Sequence, residues 1–149
     1  MNTESEAHDQ MLELAVQLAQ RQASGESLSA PETALSDITW VGTQVFMNGF
    51  LGWLAYTSCD RMCRTLAGLA AVGCTDLATN VREALSVAGV DPERFTDEER
   101  EKQIEALTED DLDRLGLVDG RFDDLYEPSM VLCRQYAQDN GALHALEQE

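Results

Sequence analysis

The sequence predicts an all-α fold, a compact single-domain bundle of about six to eight helices over residues 1–149. Apolar residues recur at the 3.6-residue spacing of helices along the chain, and no segment alternates in the manner of a half-buried strand. Glycines and helix-capping residues divide this pattern into pieces of helical length. A chain of 149 residues buries about 68–70 % of its unfolded surface, which is enough for a substantial core.

The first segment, residues 1–30, is predicted to hold one helix and a loop. Its apolar stripe consists of Met11, Leu12, Ala15, Val16, Leu18 and Ala19. The helix should end before Ser24-Gly25, which is a loop signal.

Residues 31–90 are predicted to supply the apolar core helices. The first begins at Pro31, because proline is tolerated in a first turn. Asn48-Gly49 should separate it from a third helix that runs from about Phe50 to Tyr56. A further helix is expected near Asp60 to Val72, where Gly73 stops it. Thr75 then caps the next helix, and Gly89 closes it.

The acidic helical segment, residues 91–127, opens two helices with capping boxes. Thr96 pairs with Glu99 three residues later, and Thr108 repeats the pattern with Asp111. Asp119-Gly120 predicts a turn. A C-terminal helix in residues 128–149 is then expected to start at Pro128 and to run toward Asn140-Gly141.

Charge is distributed unevenly along the chain, whose formal net charge is −18. Residues 38–90 carry three acids and three bases, whereas residues 91–127 carry fifteen acids and five bases. This pattern indicates a neutral folded centre with carboxylates over part of its surface. Such a surface repels nucleic acid and attracts basic partners.

Catalysis, metal binding and membrane association have little support in the sequence. There is no phosphate-binding loop, and the two histidines, His8 and His144, lie in polar end segments. The four cysteines lack zinc-ligand spacing, so we expect buried thiols. The N-terminus has no signal-peptide pattern, and the longest mostly apolar stretch, residues 45–56, is too short to span a bilayer. We therefore predict a cytoplasmic protein that is not an enzyme, with no cofactor and no metal.

Five of the nine aromatic residues fall within 17 positions, namely Trp40, Phe46, Phe50, Trp53 and Tyr56. One interpretation is a core that two or three helices close over. The other is that one edge of the cluster stays exposed and forms a homodimer or partner surface.

The strongest candidate site is a set of carboxylates in the acidic segment. Asp97, Glu101 and Glu105 recur every four residues and should line one edge of a helix, facing solvent. The full predicted partner-binding set is Asp97, Glu98, Glu101, Glu105, Glu109, Asp110, Asp111, Asp113, Asp123 and Asp124, and Asp119 belongs to the same acidic cluster. One interpretation is a solvated face that keeps the protein soluble. The other is a surface that imitates DNA phosphates and occupies a basic DNA-binding groove.

Three blocks of the chain resemble a small acidic bacterial domain family that is best known for a DNA-mimic protein. The run Gln44 to Leu54 resembles its Asn-Gly-Gly-Phe-x-Gln-aromatic signature, with departures at Met47, Asn48, Gly52 and Tyr56. Residues 65–85 resemble its helix pair, and residues 115–136 resemble its C-terminal Leu-Asp-x-x-Phe-Tyr block. The resemblance covers about residues 38–140. It implies an all-α fold, dimerisation and, in at least one branch, the blocking of a DNA-binding protein.

These observations predict a module that binds a basic protein through residues 91–127 as a DNA mimic. The expected partner is a DNA-binding regulator or nucleoid protein, and the module is expected to be a homodimer that binds neither nucleic acid nor membranes. The alternative is an immunity or antitoxin-like protein that covers the active site of a toxin. The identity of the partner separates the two hypotheses.

Overall fold

The computed structural model describes residues 3–142, which form six α-helices. They are α1 (Thr3–Ala23), α2 (Ala30–Tyr56), α3 (Cys59–Val72), α4 (Thr75–Ala88), α5 (Asp97–Glu105) and α6 (Glu109–Asp139). The predicted all-α class and helix number are confirmed. None of the helices in this described range is long and apolar enough to cross a membrane. The predicted C-terminal segment from residue 143 onward, with His144, lies outside the described residues.

Helix α6 is the central element of the bundle. Helices α1, α2 and α4 pack against it, α3 packs on α2 and α4, and α5 packs on α2. The largest fully buried side chains are Trp53 and Phe50 of α2 together with Tyr126 and Phe122 of α6. The aromatic core therefore lies between α2 and α6.

The buried stripe of α1 differs from the predicted one. Ala7, Met11, Leu14 and Leu18 face the core, at a spacing of three or four residues. Leu12, Val16 and Ala19 are instead exposed, so their assignment to the core was wrong. The predicted and the observed stripes both have helical spacing. Helix α1 packs on α6 through the observed stripe, in which Met11, Leu14 and Leu18 are fully buried.

Helix α2 changes direction at Gly49, as the Asn48-Gly49 signal predicts. Gly49 has φ 69° and ψ −177°, a backbone conformation that is accessible essentially only to glycine. The helical hydrogen bonds are interrupted there, and the Phe50 N–H instead donates to Asp119 Oδ1 of α6 at 2.8 Å. A side chain 69 residues away thus caps the second half of α2.

Most predicted helix ends are confirmed, and two starts are corrected. The capping boxes of Thr96 with Glu99 and of Thr108 with Asp111 are both present, and Gly73 and Gly89 end α3 and α4 in the left-handed conformation. The N-cap of α4 is Cys74 and not Thr75. Helix α2 begins one residue before Pro31, with a capping box between Ser29 and Glu32.

The predicted turn at Asp119-Gly120 and the predicted helix start at Pro128 are both wrong. Helix α6 runs through both positions without a break from Glu109 to Asp139. Its buried residues are Leu115, Val118, Phe122, Tyr126, Ser129, Met130, Cys133 and Ala137, which form one continuous stripe. Burial of that stripe against three helices outweighs the cost of an interior glycine and proline.

The half-buried Asp119 gives a prediction for stability against pH. Burial, together with the nearby charge of Asp123, raises the pKa of Asp119, although the Phe50 N–H opposes this shift. An acid with a raised pKa in the folded state costs stability at neutral pH, and the cost is relieved as pH falls through that pKa. Asp119→Asn keeps an oxygen for the Phe50 N–H and removes the charge. We expect the variant to be more stable than the wild type at pH 7.

Urea unfolding of both proteins between pH 7 and about pH 4 checks this expectation. The stability difference should narrow as pH falls, because the wild-type carboxyl becomes neutral as well. The pKa values of Asp97 and Asp111 are lowered, so the stability that these two carboxylates contribute is lost in acid. Both proteins contain them, and this loss therefore cancels when the two free energies of unfolding are subtracted. If the difference in free energy of unfolding between the variant and the wild type stays constant with pH, the pKa of Asp119 is not raised in the folded protein.

Candidate functional site

A buried arginine attaches α5, the first helix of the acidic segment, to the end of α2. Arg100 of α5 is 5 % exposed, and its Nη1 donates to the backbone carbonyl of Thr57, at the end of α2. The carboxylates of Asp97 and Glu101 lie 3.6 and 3.7 Å from its guanidinium nitrogens. Arg100 is therefore an internal anchor of α5.

Asp97 differs in role from the other two acids of its predicted row. Its Oδ1 accepts the backbone N–H of Cys59 at 2.8 Å, so it ties the start of α5 to the start of α3. That hydrogen bond lowers the pKa of Asp97. Glu101 and Glu105 are exposed, as the i, i+4 spacing predicts. The row exists, but its first member also holds the fold together.

The acids of α6 separate in the same way. Asp111 is half-buried, and its capping hydrogen bond with Thr108 lowers its pKa. Glu109, Asp110, Asp113, Asp123 and Asp124 are exposed on α6, outside its buried stripe. From residue 109 to residue 124 the helix rises by roughly 22 Å. Asp119 is no part of this surface, because its carboxylate caps α2.

The nearby bases neutralise only some of these carboxylates. Lys102 pairs with Glu98 at 3.2 Å, Arg114 approaches Asp111 at 3.8 Å, and Arg121 pairs with Glu83 of α4. The side chains of six members of the predicted set make no hydrogen bond or ion pair with another residue in the described range 3–142. We call them the unpaired acids, and they are Glu105, Glu109, Asp110, Asp113, Asp123 and Asp124.

Two of the three bases of the neutral centre, Arg61 and Arg64, are engaged internally. Asp37 of α2 is almost fully buried and accepts hydrogen bonds from Arg61 Nε at 2.9 Å and from Arg64 Nη2 at 3.1 Å. The Arg61 guanidinium also lies over the ring of Trp40, 4.8 Å from its centroid. These contacts join α2 to α3.

The aromatic cluster is divided between core and surface. Phe50 and Trp53 are fully buried, and Trp40 is half-buried with its Nε1 donating to Thr57 Oγ1 at 2.9 Å. Phe46 and Tyr56 are 51 % and 70 % exposed. The core interpretation is confirmed for Phe50 and Trp53, and one edge of the cluster is exposed at Phe46 and Tyr56. That this edge forms a homodimer or partner surface stays a prediction.

The four thiols are free, as expected. Cys59, Cys74 and Cys133 are buried, and Cys63 is half-buried. Burial raises the pKa of Cys59 to about 11, which keeps this thiol protonated at neutral pH.

The structure also contains a groove that the sequence did not reveal. Its walls are Leu51, Ala55 and Tyr56 of α2 on one side and Ile104, Leu107 and Leu112 of the α5–α6 corner on the other. Asn48, Gly52 and Glu105 complete its lining, and its volume is about 520 Å³. The wall residues are separated by about fifty positions in sequence. Only the crossing of α5 over α2 brings them together, so no local pattern could have indicated the groove.

Comparison with known proteins gives one match. The model of a family described as DMP19-like protein matches residues 26–140, which include α2 to α6 and every residue of the predicted acidic set. No curated protein and no solved structure matches the chain.

Proposed function

Because this chain belongs to the DMP19-like protein family, we propose that it is an acidic binding module that occupies the basic surface of a DNA-binding protein as a DNA mimic. Its activity is binding and not catalysis. The acidic surface of α5 and α6 is the part of the molecule that makes the contact.

The observation that carries this proposal is the set of unpaired acids. An ordinary soluble surface intersperses charges of both signs, as the ion pairs of Glu98 and Asp111 do. The unpaired acids instead keep six exposed carboxylates without cationic partners in the described part of the chain. Like charges held close together repel each other, and a basic partner relieves this repulsion.

The same electrostatics govern DNA binding. Proteins that bind DNA neutralise a row of phosphates with lysine and arginine, and their affinity falls steeply as salt increases. Five of the unpaired acids lie along one helix of fixed geometry, over a length of roughly 22 Å. A basic groove that accepts DNA phosphates can accept such a row.

Charge reversal of two unpaired acids tests the proposal. We expect Glu105→Lys with Asp113→Lys to abolish binding of DNA-binding proteins from the source cell, because two attractive contacts become repulsive. The side chain of neither acid makes a hydrogen bond with another described residue. The substitutions should therefore leave the helical circular dichroism unchanged. The measurement uses tagged protein to capture partners from a fraction eluted from DNA-cellulose, followed by elution with duplex DNA.

The matched control is Asp9→Lys with Glu13→Lys, which changes the net charge equally on exposed positions of α1. It should leave capture unchanged. Capture by wild type should weaken strongly between about 50 and 300 mM salt, since the attraction is screened. A captured protein that duplex DNA does not displace, or whose affinity changes about two-fold or less over this range, would contradict DNA mimicry. Release by a toxin's substrate in place of DNA would favour the immunity-protein alternative.

A further inference from the structure

We propose that the groove between α2 and the α5–α6 corner binds an amphipathic basic helix of the partner protein. Apolar side chains of that helix enter the groove, and its lysines or arginines reach the acids beside it. This inference rests on the proposed function, because Glu105 belongs to both the groove and the unpaired acids. It adds an apolar contact to a surface that is otherwise electrostatic.

The groove exposes apolar surface that the fold leaves uncovered. Tyr56 is 70 % exposed, Leu112 is 41 % exposed and Leu51 is 37 % exposed, while Ile104 and Leu107 are partly buried. The two walls belong to different helices and enclose a depression, in contrast to an isolated exposed leucine. Helices of partner proteins bind in such grooves by placing side chains at i, i+3, i+4 and i+7 against the apolar walls.

Charge decides which occupant the groove fits. Glu105 stands in the lining, and Glu101 lies one turn before it on the same edge of α5. Glu109 and Asp113 follow on α6, next to Leu112. A second copy of this chain, with net charge −18, would bring its own acidic rim against this one. The repulsion disfavours self-association here, and a basic helix is attracted by the same charges.

Two fluorescent peptides of about 18 residues, each composed of leucine and lysine in equal proportion, test the inference. One places its leucines at i, i+3, i+4 and i+7, and the other has the same composition in shuffled order. Fluorescence anisotropy measures their binding to the full chain. The ordered peptide should bind about ten-fold more tightly than the shuffled one, because only its leucines can enter the groove together.

Variants then separate the groove from the charge. Leu112→Ser should lower affinity for the ordered peptide by about ten-fold. The matched control is Leu117→Ser, since Leu117 is 67 % exposed on the same helix but does not line the groove. This control should leave affinity for the ordered peptide unchanged. Glu105→Lys should weaken both peptides.

Each outcome supports or overturns a specific claim. Equal, salt-sensitive binding of both peptides would contradict binding in the groove, but it would agree with binding of a basic partner by the acidic surface. Equal losses from Leu112→Ser and Leu117→Ser would also overturn the groove, because they indicate unspecific adhesion. Binding of the ordered peptide that Glu105→Lys and salt leave unchanged would instead overturn the acidic surface. Failure of both peptides to bind would overturn the basic-helix inference, while capture of DNA-binding proteins still tests the proposed function separately.

Discussion

Replacing Phe50 with alanine is expected to lower the free energy of unfolding by roughly 3–5 kcal/mol. The side chain is fully buried, and its ring meets Trp53 and Phe122 edge to face, with centroids 6.2 and 5.6 Å apart. Truncation removes the apolar burial and leaves a cavity between α2 and α6, the two helices that hold the aromatic core. Urea unfolding followed by circular dichroism measures the loss. A fall of this size is a large share of a typical total of about 5–15 kcal/mol.

The control for this experiment is Phe46→Ala, one turn earlier on the same helix. Phe46 is 51 % exposed, although its ring contacts Phe122 and Tyr126 at 5.3 and 5.2 Å. Its truncation removes these edge contacts and the stacking of the Phe46 ring on His8 at 6.1 Å, each worth roughly 0.5–1.5 kcal/mol, but it leaves no fully enclosed cavity. Equal losses from the two variants would show that Phe50 is not the anchor of the core.

The second large effect is expected from Gly49→Ala. A Cβ at this position would lie 2.6 Å from Asp119 Oδ2, and φ is +69°. The backbone strain and the displaced cap of Phe50 together should cost roughly 2–4 kcal/mol. Denaturant unfolding measures the loss, and near-ultraviolet circular dichroism reports whether the aromatic core loosens.

Gly116→Ala is the matched control for this glycine. Gly116 lies inside α6, and an added Cβ would meet nothing within 4 Å. Alanine should therefore stabilise the helix by about 1 kcal/mol, the reverse of the change at Gly49. If both substitutions destabilise the protein equally, the effect does not arise from the conformation of Gly49.

The sequence predicts the helix ends best where the signal is local. The capping boxes at Thr96 and Thr108 use side chains only three residues apart, and Gly73 and Gly89 need only their own backbone freedom. The same pattern was present at Ser29 and Glu32 and marks the true start of α2. Local chemistry is sufficient at these positions because tertiary packing does not compete with it.

Prediction fails where distant contacts decide. The signals at Asp119-Gly120 and Pro128 are real local preferences, but α6 continues through them because its buried stripe is continuous. That stripe could have been read from the sequence by extending the 3.6-residue period past both positions. The roles of Asp97 and Asp119 could not have been read from the sequence. Their backbone partners, Cys59 and Phe50, are 38 and 69 residues away.

Among the candidate site residues, solvent exposure was predictable and pairing was not. The four-residue spacing places Glu101 and Glu105 on an exposed edge, as observed. Whether a carboxylate is unpaired depends on which bases are already bound inside the fold. Arg100 is one of these bases, because it donates a buried hydrogen bond to the carbonyl of Thr57. The sequence alone counts Arg100 as a surface charge.

The cap that Asp119 provides to Phe50 has a consequence for the order of folding. The two residues are 69 positions apart, so the second half of α2 lacks its cap until α6 exists. At a synthesis rate of roughly 5–20 residues per second, that delay is several seconds on the ribosome. During this interval the apolar residues around Phe50 and Trp53 are not yet buried against α6. The nascent chain therefore depends on its late helix to complete an early one, and truncation before α6 should leave an aggregation-prone product.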